Sequence, residues 1–367
     1  MFEQLNGRIL KLAETRVWRT YTGGEIIDKW HGKSAGEVTN FPEDWVASTT
    51  KAINPNRDDE FEGLSRVIGV DGNPTLKEIM DAQPENYFGK AHMDEIGDTI
   101  GTLIKLIDSA ERLTIQAHPD KKFAKEYFKS DYGKTEAWYI LDTQTVNGEE
   151  PCVYFGFKPG VTRDMWKDIF DRQDIPAMLD CLHKIPVKKG DSFFIAGGLP
   201  HAIGAGCFIA EVQEPTDFTM RTELITPNGL HIHENQCHQG LGYELMCDCF
   251  HYNGVSLEET TEKWKSSPVT LLKTADSEIV SLIDDRFTDL FTMKQIKTSG
   301  NLNLEPTGQL KTWIVLDGAG VVKTDLEETT IQKGDFLLIP ASLEKAELCA
   351  SHELTIIECL PRKVSVK

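Results

Sequence analysis

The chain carries an internal repeat of strand-like segments, which restricts its fold more than any other feature of its 367 residues. Residues 188–203, KKGDSFFIAGGLPHAI, resemble residues 332–347, QKGDFLLIPASLEKAE, at an offset of 144. Upstream, EAWYILD at 136–142 resembles KTWIVLD at 311–317 at an offset of 175. Because the offsets differ by 31 residues, the first copy contains an insertion between its two matched segments.

The insertion coincides with a segment of helical periodicity. Residues 162–183 have apolar side chains at spacings of three and four, with Thr162 as an N-cap and a break near Pro176. Elsewhere, β-branched and aromatic runs bounded by Gly, Pro, Asn or Asp predict short strands, at 150–160, 187–195, 310–316 and 335–340. Further short helices are predicted at 103–112, 120–129 and 233–250.

Short strands in two copies are typical of a jelly roll. We therefore predict a mainly β protein with two cupin or jelly-roll β-barrel domains and a small helical insertion at about 161–186 in the first. The first domain spans residues 1–262 and the second spans residues 263–367.

Charge and composition exclude several classes of function. The 39 basic and 58 acidic side chains give a net charge of −19, and without a run of Lys or Arg the chain is not expected to bind nucleic acid. The N-terminus has no apolar signal-peptide region, and the longest apolar run, 193–210, contains four glycines and a proline. The eight cysteines form no CxxC pair, which favours reduced thiols. We expect a cytoplasmic protein without a membrane span.

A candidate metal site follows from strand alternation. Residues 114–118 alternate polar and apolar, so Thr114, Gln116 and His118 share one face of a strand. Glu136 lies in the repeated strand, and His201 follows the Lys-Gly-Asp strand. Two histidines, a carboxylate and an amide oxygen suit Zn²⁺, Fe²⁺ or Mn²⁺. The alternative is that each side chain belongs to an ordinary hydrogen-bond network.

The second copy of the repeat favours the metal site. Lys311 stands at the position of Glu136, and Lys345 stands at the position of His201. Both candidate ligands are therefore replaced together, which predicts a site in the first domain and none in the second. Independent drift of the two positions is the alternative.

A second cluster has residue types that suit zinc, but its spacing matches no recognised finger or ribbon. Its segment is better explained as an amphipathic helix, and we do not predict a site from it. The cluster consists of His231, His233, Cys237 and His238, with Cys247, Cys249 and His251 nearby.

Four separated elements occur in an order that resembles the type I phosphomannose isomerases. They are Thr-Ile-Gln-Ala-His-Pro-Asp-Lys at 114–121, Gly-Lys-Thr-Glu-Ala-Trp-Tyr at 133–139, Lys-Gly-Asp at 189–191, and Pro-His-Ala-Ile-Gly-Ala-Gly followed by Ala-Glu-Val-Gln at 200–213. The resemblance spans most of the chain. It implies a zinc-dependent cupin enzyme that interconverts mannose 6-phosphate and fructose 6-phosphate through an enediol(ate), as a monomer or small homo-oligomer.

The resemblance also implies roles for individual residues. It places one Zn²⁺ per chain on Gln116, His118, Glu136 and His201. It assigns the catalytic residues to Lys134, Glu211, Asp217 and Arg221, and substrate contacts to Thr114 and Arg221. Lys121, which follows the predicted strand, is a further candidate for binding the phosphate.

The chain departs from the family pattern after Asp217. Residues 218–228 are FTMRTELITPN, and Pro227 and Asn228 stand where other members have a lysine. The departure leaves open an isomerase of a different phosphorylated aldose. A metal-bound protein that binds or senses a sugar without turnover is the alternative outside enzymes, although pure binding does not require Lys134, Glu211 and Arg221.

Overall fold

A computed structural model describes residues 2–34, 36–54, 57 and 59–364. It is mainly β, and its strands pair antiparallel throughout the sheets described below. Within the described ranges, the helices are all too short or too polar to cross a lipid bilayer.

The strands are numbered in chain order. They are β1 (Leu10–Leu12), β2 (Arg16–Val17), β3 (Glu43–Val46), β4 (Leu103–Ser109), β5 (Gln116–Ala117), β6 (Glu136–Thr143), β7 (Cys152–Phe157), β8 (Leu182–Pro186), β9 (Ser192–Ile195), β10 (His201–Ile203), β11 (Cys207–Gln213), β12 (Met220–Arg221), β13 (Lys265–Ser266), β14 (Val269–Lys273), β15 (Ser277–Ile283), β16 (Phe291–Thr298), β17 (Asn301–Leu304), β18 (Lys311–Asp317), β19 (Ala319–Thr324), β20 (Glu328–Gln332), β21 (Phe336–Ile339), β22 (Ala346–Cys349) and β23 (Leu354–Pro361).

The helices are short. They are α1 (Glu25–Trp30), α2 (Leu76–Ala82), α3 (Pro84–Phe88), α4 (Lys90–Glu95), α5 (Lys121–Phe123), α6 (Arg163–Asp171), α7 (Ile175–Asp180), α8 (Glu234–His238), α9 (Tyr243–Asp248) and α10 (Leu257–Trp264), with a 3₁₀ turn at Glu3–Leu5 and a π-helical turn at Ala124–Phe128.

The strands form four sheets, two for each copy of the repeat. In the first copy a seven-stranded sheet has the order β13-β9-β6-β11-β4-β3-β2, and a five-stranded sheet has the order β12-β5-β10-β7-β8. In the second copy the seven-stranded sheet is β1-β21-β18-β23-β16-β15-β14, and its partner is the four-stranded sheet β17-β22-β19-β20. The strand β1 comes from the N-terminus, so the beginning of the chain completes the sheet of the second copy.

Strand alternation explains how the four sheets stack. Trp138 and Ile140 of β6 belong to the core within the first copy, whereas Tyr139 and Leu141 point to the opposite face. That opposite face packs against the second seven-stranded sheet, in a core that includes Ile314. The central strands are therefore apolar on both faces because both faces are buried.

The repeat is confirmed down to its turns. Gly190 and Gly334 both adopt a positive φ, 93° and 92°, a conformation that favours glycine. One residue later, Asp191 and Asp335 each accept a backbone hydrogen bond, from Lys188 and from the equivalent Gln332 respectively. The Lys-Gly-Asp element is thus a structural turn in both copies.

The helices predicted within residues 162–183 are present. The Thr162 side chain accepts a hydrogen bond from the backbone of Met165 and caps α6. The helix α7 carries Pro176 in its first turn, and β8 follows directly. Apolar side chains of α6 and α7 cover the outer face of the five-stranded sheet, where Ile115 and Ala202 are buried.

The prediction of a helix at 103–112 is wrong. Residues Leu103–Ser109 form β4, a central strand whose seven residues are all buried between β3 and β11. Burial on both faces removes the alternation that marks a strand, and a continuous apolar run does not distinguish a strand from a helix. The predicted helices at 120–129 and 233–250 do contain helical turns, as α5 with the π-helical turn and as α8 and α9.

Candidate active site and metal centre

All four predicted ligands meet between the two sheets of the first copy. Gln116 in β5 and His201 in β10 are opposite each other in the five-stranded sheet, and His118 follows β5 directly. Glu136 begins β6 in the facing sheet. Ligand atoms of His118, Glu136 and His201 lie within 4.8 Å of one another, and all three residues are buried. The amide Nε2 of Gln116 lies 3.3 Å from His201 Nε2.

Both histidines present an unprotonated Nε2 to the centre of this group. His118 Nδ1 lies 2.8 Å from the carbonyl oxygen of Phe218, and His201 Nδ1 lies 2.9 Å from that of Leu199. A carbonyl can only accept a hydrogen bond, so each Nδ1 carries the proton and each Nε2 keeps its lone pair. Burial also lowers the pKa of both rings, which favours the neutral form that binds metals.

Glu136 supplies the charge that completes a metal-binding set. Its two oxygens lie 3.2 Å from His118 Nε2 and 3.5 Å from His201 Nε2. Among the described residues, neither oxygen accepts a hydrogen bond, although the side chain is almost fully buried. A buried carboxylate is normally hydrogen-bonded or bound to a metal. Two imidazoles, one carboxylate and one amide are ligands that fit a zinc ion.

Lys134 lies directly beside these ligands. Its Nζ is 2.9 Å from His118 Nε2 and 3.4 Å from an oxygen of Glu136. Burial lowers the pKa of Lys134 from its ordinary value. The side chain therefore provides an ammonium group whose proton is easier to release than that of an exposed lysine.

A buried ionic network continues from the metal ligands along the seven-stranded sheet. Arg19 contacts Glu43 at 2.9 Å and Asp217 at 3.3 Å, and Lys105 lies 3.3 Å from Glu211. Burial alone would raise the pKa of Glu43, but Arg19 and Lys105 hold it well below its usual range. Burial and nearby carboxylates instead raise the pKa of Glu211. The network keeps several charges fixed beside the metal-binding group.

Part of this network is duplicated in the second copy. Glu211 lies opposite Trp138 and Lys105 in register, and it accepts a hydrogen bond from Trp138 Nε1 at 3.0 Å. Glu358 lies opposite Trp313 and Lys294, and it accepts from Trp313 Nε1 at 2.9 Å.

The two copies differ at the neighbouring position. Lys311 begins β18 as Glu136 begins β6, and its Nζ lies 4.0 Å from Glu358. The Trp–Glu–Lys arrangement is thus common to both copies, whereas a lysine replaces Glu136 of the candidate metal-binding group in the second copy.

The ligands adjoin a cleft that contains most of the other predicted site residues. Thr114, Lys134, Glu211, Asp217 and Arg221 all line it. The complete lining contains five basic and three acidic side chains, although the whole chain carries a charge of −19. The cleft is therefore locally positive and suits an anionic ligand.

Arg221 is a partly buried cation that remains available to such a ligand. It lies opposite Gln116 in register and donates one hydrogen bond, from Nη1 to the carbonyl of Gln236 at 2.6 Å. No carboxylate within the described part of the chain lies close enough to form a salt bridge with it. Desolvation lowers the pKa of Arg221 from its ordinary value, as expected for a cation partly removed from water without a salt-bridge partner.

Two other predictions lie outside the cleft. Lys121 has a side chain that is 47% exposed and lies 3.8 Å from Glu214, and it is not part of the cleft lining. The His/Cys cluster at 231–251 does not form a metal-binding group among the described residues.

The structure also groups Glu14, His31 and Asp44. There the two ring nitrogens of His31 face different carboxylates, Asp44 at 2.9 Å and Glu14 at 3.6 Å. This arrangement is explained as a hydrogen-bonded side-chain network.

Sequence reasoning missed four charged residues of the cleft, Arg19, Glu43, Lys105 and Arg112. One signal was available: Lys105 is a charge within the apolar run LIKLIDS, and a buried lysine requires a partner. The partners themselves are distant in sequence and could not be inferred from local patterns.

Comparison with known proteins agrees with this geometry. The family model described as "Phosphomannose isomerase type I, catalytic domain" matches residues 62–140. The mannose-6-phosphate isomerase of Streptococcus mutans is 29% identical over 260 residues, which cover 68% of this chain and 73% of that protein.

The crystal structure of the Bacillus subtilis mannose 6-phosphate isomerase superposes with a TM-score of 0.73 at 20% identity, covering 96% of this chain and 99% of the other. A mannose 6-phosphate isomerase crystallised with zinc and yttrium has a TM-score of 0.70 at 14% identity, covering 97% and 100%. These two similarities show a shared fold.

The family match includes Gln116, His118 and Glu136, and the similarity to relatives extends over most of the chain. The chain is therefore similar to the type I phosphomannose isomerases over most of its length.

Proposed function

We propose that the chain is a zinc-dependent mannose-6-phosphate isomerase, with one Zn²⁺ held by Gln116, His118, Glu136 and His201. The observation that carries this proposal is the convergence of two unprotonated Nε2 atoms on a buried carboxylate that accepts no hydrogen bond from the described residues. The metal-binding group adjoins a locally positive cleft that suits a sugar phosphate. The family relatives named above carry the same activity in their names.

We also propose that the two copies of the repeat are jelly-roll barrels of the cupin type, in domains at 1–262 and 263–367, with β1 of the first range added to a sheet of the second domain. Two facing antiparallel sheets in each copy support this proposal. The second domain would have no metal site, because Lys311 occupies the position of Glu136.

The reaction moves a proton between C1 and C2 of the sugar through an enediol(ate). When bound, Zn²⁺ supplies a Lewis acid for the oxygens at these carbons. The protein must then carry the proton and stabilise the negative charge that develops. Side chains of the cleft are available for each of these tasks.

We assign the proton transfer to Asp217. Its carboxylate lines the cleft, and Arg19 holds one of its oxygens at 3.3 Å. Glu211 is less suited because Trp138 and Lys105 already contact its two oxygens and its side chain is only 4% exposed. We therefore assign Glu211 to positioning Lys105 and Trp138.

Lys134 and Arg221 suit the stabilisation of charge. The lowered pKa of Lys134 suits an acid that donates a proton or hydrogen bond to a developing oxyanion. Arg221 lies opposite Gln116 and has no salt-bridge partner among the described residues, so its guanidinium can bind an oxyanion near the reacting carbons. Thr114 shares the cleft and offers a hydroxyl to the substrate.

A second candidate is an isomerase of another phosphorylated aldose. The observation that favours it is the position of Thr226 and Pro227, which belong to the divergent segment 218–228 and line the cleft. Contacts with the sugar hydroxyls can therefore differ from those in related enzymes.

The protein as isolated should be incubated with mannose 6-phosphate and with a panel of other aldose phosphates, and the ketose products should be identified by NMR. We expect fructose 6-phosphate from mannose 6-phosphate. Faster conversion of another aldose phosphate would establish the second candidate. If the protein contains one zinc per chain but converts none of the panel, it is not an isomerase of these sugars.

Asp217→Asn should lower kcat by about 10²-fold, because a positioned acid or base typically contributes at least that much. The zinc content should remain at one per chain, since Asp217 is not among the proposed ligands. Asp142→Asn provides a control, because this exposed carboxylate on β6 does not line the cleft. A kcat within twofold of wild type in Asp217→Asn would remove Asp217 from proton transfer.

A further inference from the structure

The cleft contains five cationic side chains, and two of them are fully engaged by protein partners. Arg19 contacts Glu43 and Asp217, and its side chain is only 7% exposed. Lys105 lies between Glu43 at 3.7 Å and Glu211 at 3.3 Å, and it is 3% exposed. Neither group can turn toward a ligand without breaking a buried ion pair, which is costly.

Two other cations lie at the end of the cleft that holds the metal ligands. Lys134 contacts His118 and Glu136 directly. Arg221 is paired in register with Gln116. Both are therefore placed to act near C1 and C2 of a bound sugar.

Arg112 is the remaining cation of the cleft. It lies toward the end of the cleft that is farther from the metal ligands. Leu113 N donates to the carbonyl of Ile203 at 2.8 Å while Gln116 pairs with His201, so this segment runs beside β10. Arg112 is four positions before Gln116, and a chain with strand geometry over that length spans about 13 Å between the two Cα atoms. A hexose 6-phosphate carries its phosphate at the opposite end of the carbon chain from C1 and C2.

The guanidinium of Arg112 is held in a fixed orientation. Its Nη1 and Nη2 donate to the two oxygens of Glu223 at 2.6 and 2.7 Å, and Nη1 also donates to the carbonyl of Leu113. Glu223 is itself buried and accepts a hydrogen bond from the backbone of Ile115. Among the described residues, no partner is recorded for Nε or for the second hydrogen of Nη2. A preorganised guanidinium with free donors suits a phosphate.

Among the residues that the structure describes, the neighbouring wall of the cleft has no positive charge other than Arg112. Thr226 and Pro227 line it, and their loop is attached to the segment before Arg112 through a hydrogen bond from Asn228 N to Glu111 at 2.9 Å. Among the described residues that line the cleft, Arg112 is thus the one cation beside the loop of Thr226 and Pro227.

We propose that Arg112, oriented by Glu223, binds the phosphate of the substrate, while Arg221 acts at the reacting end. This inference rests on the proposed function and adds the location of the phosphate. It separates catalysis from substrate binding, two roles that the family resemblance assigns to Arg221 alike. It also assigns a function to the divergent segment 218–228, because Glu223 belongs to that segment and orients the Arg112 side chain.

Arg112→Met should raise the KM for the phosphorylated sugar by about 10- to 100-fold, as expected for loss of a charge-assisted hydrogen bond. The kcat should change by less than about threefold, because the reacting end is intact. The inhibition constant of inorganic phosphate as a competitive inhibitor should rise by a similar factor. Unphosphorylated mannose should inhibit the variant and the wild type equally. A purely structural role of Arg112 would weaken both inhibitors together.

Two further variants make the result decisive. Arg112→Met leaves Glu223 buried without its partner. The double variant R112M/E223Q removes that unpaired charge and should be compared with the single variant. We expect the same loss of phosphate inhibition in both. Arg172→Met is the matched control, since this arginine is exposed at the end of α6 and does not line the cleft. Unchanged phosphate inhibition in the double variant would overturn the proposal.

Phosphate binding can also be measured without turnover. Inorganic phosphate should raise the unfolding temperature of the wild type and of Arg172→Met but not of R112M/E223Q. If the wild type converts no sugar phosphate, the proposed function fails, and this shift still decides whether Arg112 binds phosphate. Equal shifts in all three proteins would contradict the assignment.

Discussion

Glu136→Gln should lower kcat for the isomerisation by about 10³-fold or more and should deplete the protein of zinc. The substitution keeps the size of the side chain but removes the one negative charge of the ligand set. Two imidazoles and two amides would hold a divalent cation far less tightly, and a metal contributes several kcal/mol to such a reaction. The measurements are kcat with saturating substrate and zinc per chain by elemental analysis.

Glu150→Gln serves as the control, because this glutamate is exposed in the turn between β6 and β7. It should retain wild-type zinc and activity. The Glu136 variant should also keep its far-ultraviolet circular dichroism, since no hydrogen bond of the fold depends on that carboxylate among the described residues. Full zinc content in Glu136→Gln would exclude Glu136 as a ligand.

Glu358→Leu should destabilise the protein by about 3–5 kcal/mol, the cost of removing one partner from a buried ion pair. Glu358 accepts a hydrogen bond from Trp313 and lies 3.6 Å from Lys294 and 4.0 Å from Lys311. Without it, the buried ammonium of Lys311 loses the carboxylate that offsets its desolvation. Urea unfolding followed by tryptophan fluorescence gives the change in free energy.

The double variant Glu358→Leu, Lys311→Met provides the control for this explanation. It removes both members of the pair and should recover a large part of the stability, because no buried charge then remains unpaired at β18. Zinc content should stay at one per chain in both variants, because the metal-binding group lies in the other copy. Equal losses in the single and double variants would show that the ion pair is not the cause.

The candidate metal-binding group of Gln116, His118, Glu136 and His201 could be assembled from the sequence because its signals are local. Alternation along residues 114–118 places Gln116 and His118 on one face whatever the partner strand is. The repeat then identified Glu136 and His201 by comparison with Lys311 and Lys345. The structure adds the tautomers of the histidines, since the carbonyls of Phe218 and Leu199 that fix them come from loops.

The ionic network could not be predicted because its pairs are formed by the tertiary fold. Arg19 and Asp217 are separated by 198 residues, and Arg112 and Glu223 by 111. The apolar run around Lys105 predicts a helix, and only the sheet register places Lys105 opposite Glu211. No local pattern indicates which distant carboxylate neutralises a given cation.

The same limit applies to the sheets. The turns at Gly190 and Gly334 are alike because both copies of the repeat share the residue that a positive φ favours. The repeat did not predict that Leu10–Leu12 pairs with β21 and completes the sheet of the second copy. That pairing joins residues more than 300 positions apart, so it depends on the packing of the two copies against each other.

Titration of the metal-free protein with zinc tests the proposed metal centre most directly. Zinc should be removed with a chelator and added back in steps, with mannose 6-phosphate isomerase activity and bound metal measured at each step. We predict negligible activity without metal, a linear rise with added zinc, and saturation at one equivalent per chain, with no rise in His201→Ala. Full activity in protein shown by elemental analysis to contain no metal would contradict the proposed metal centre.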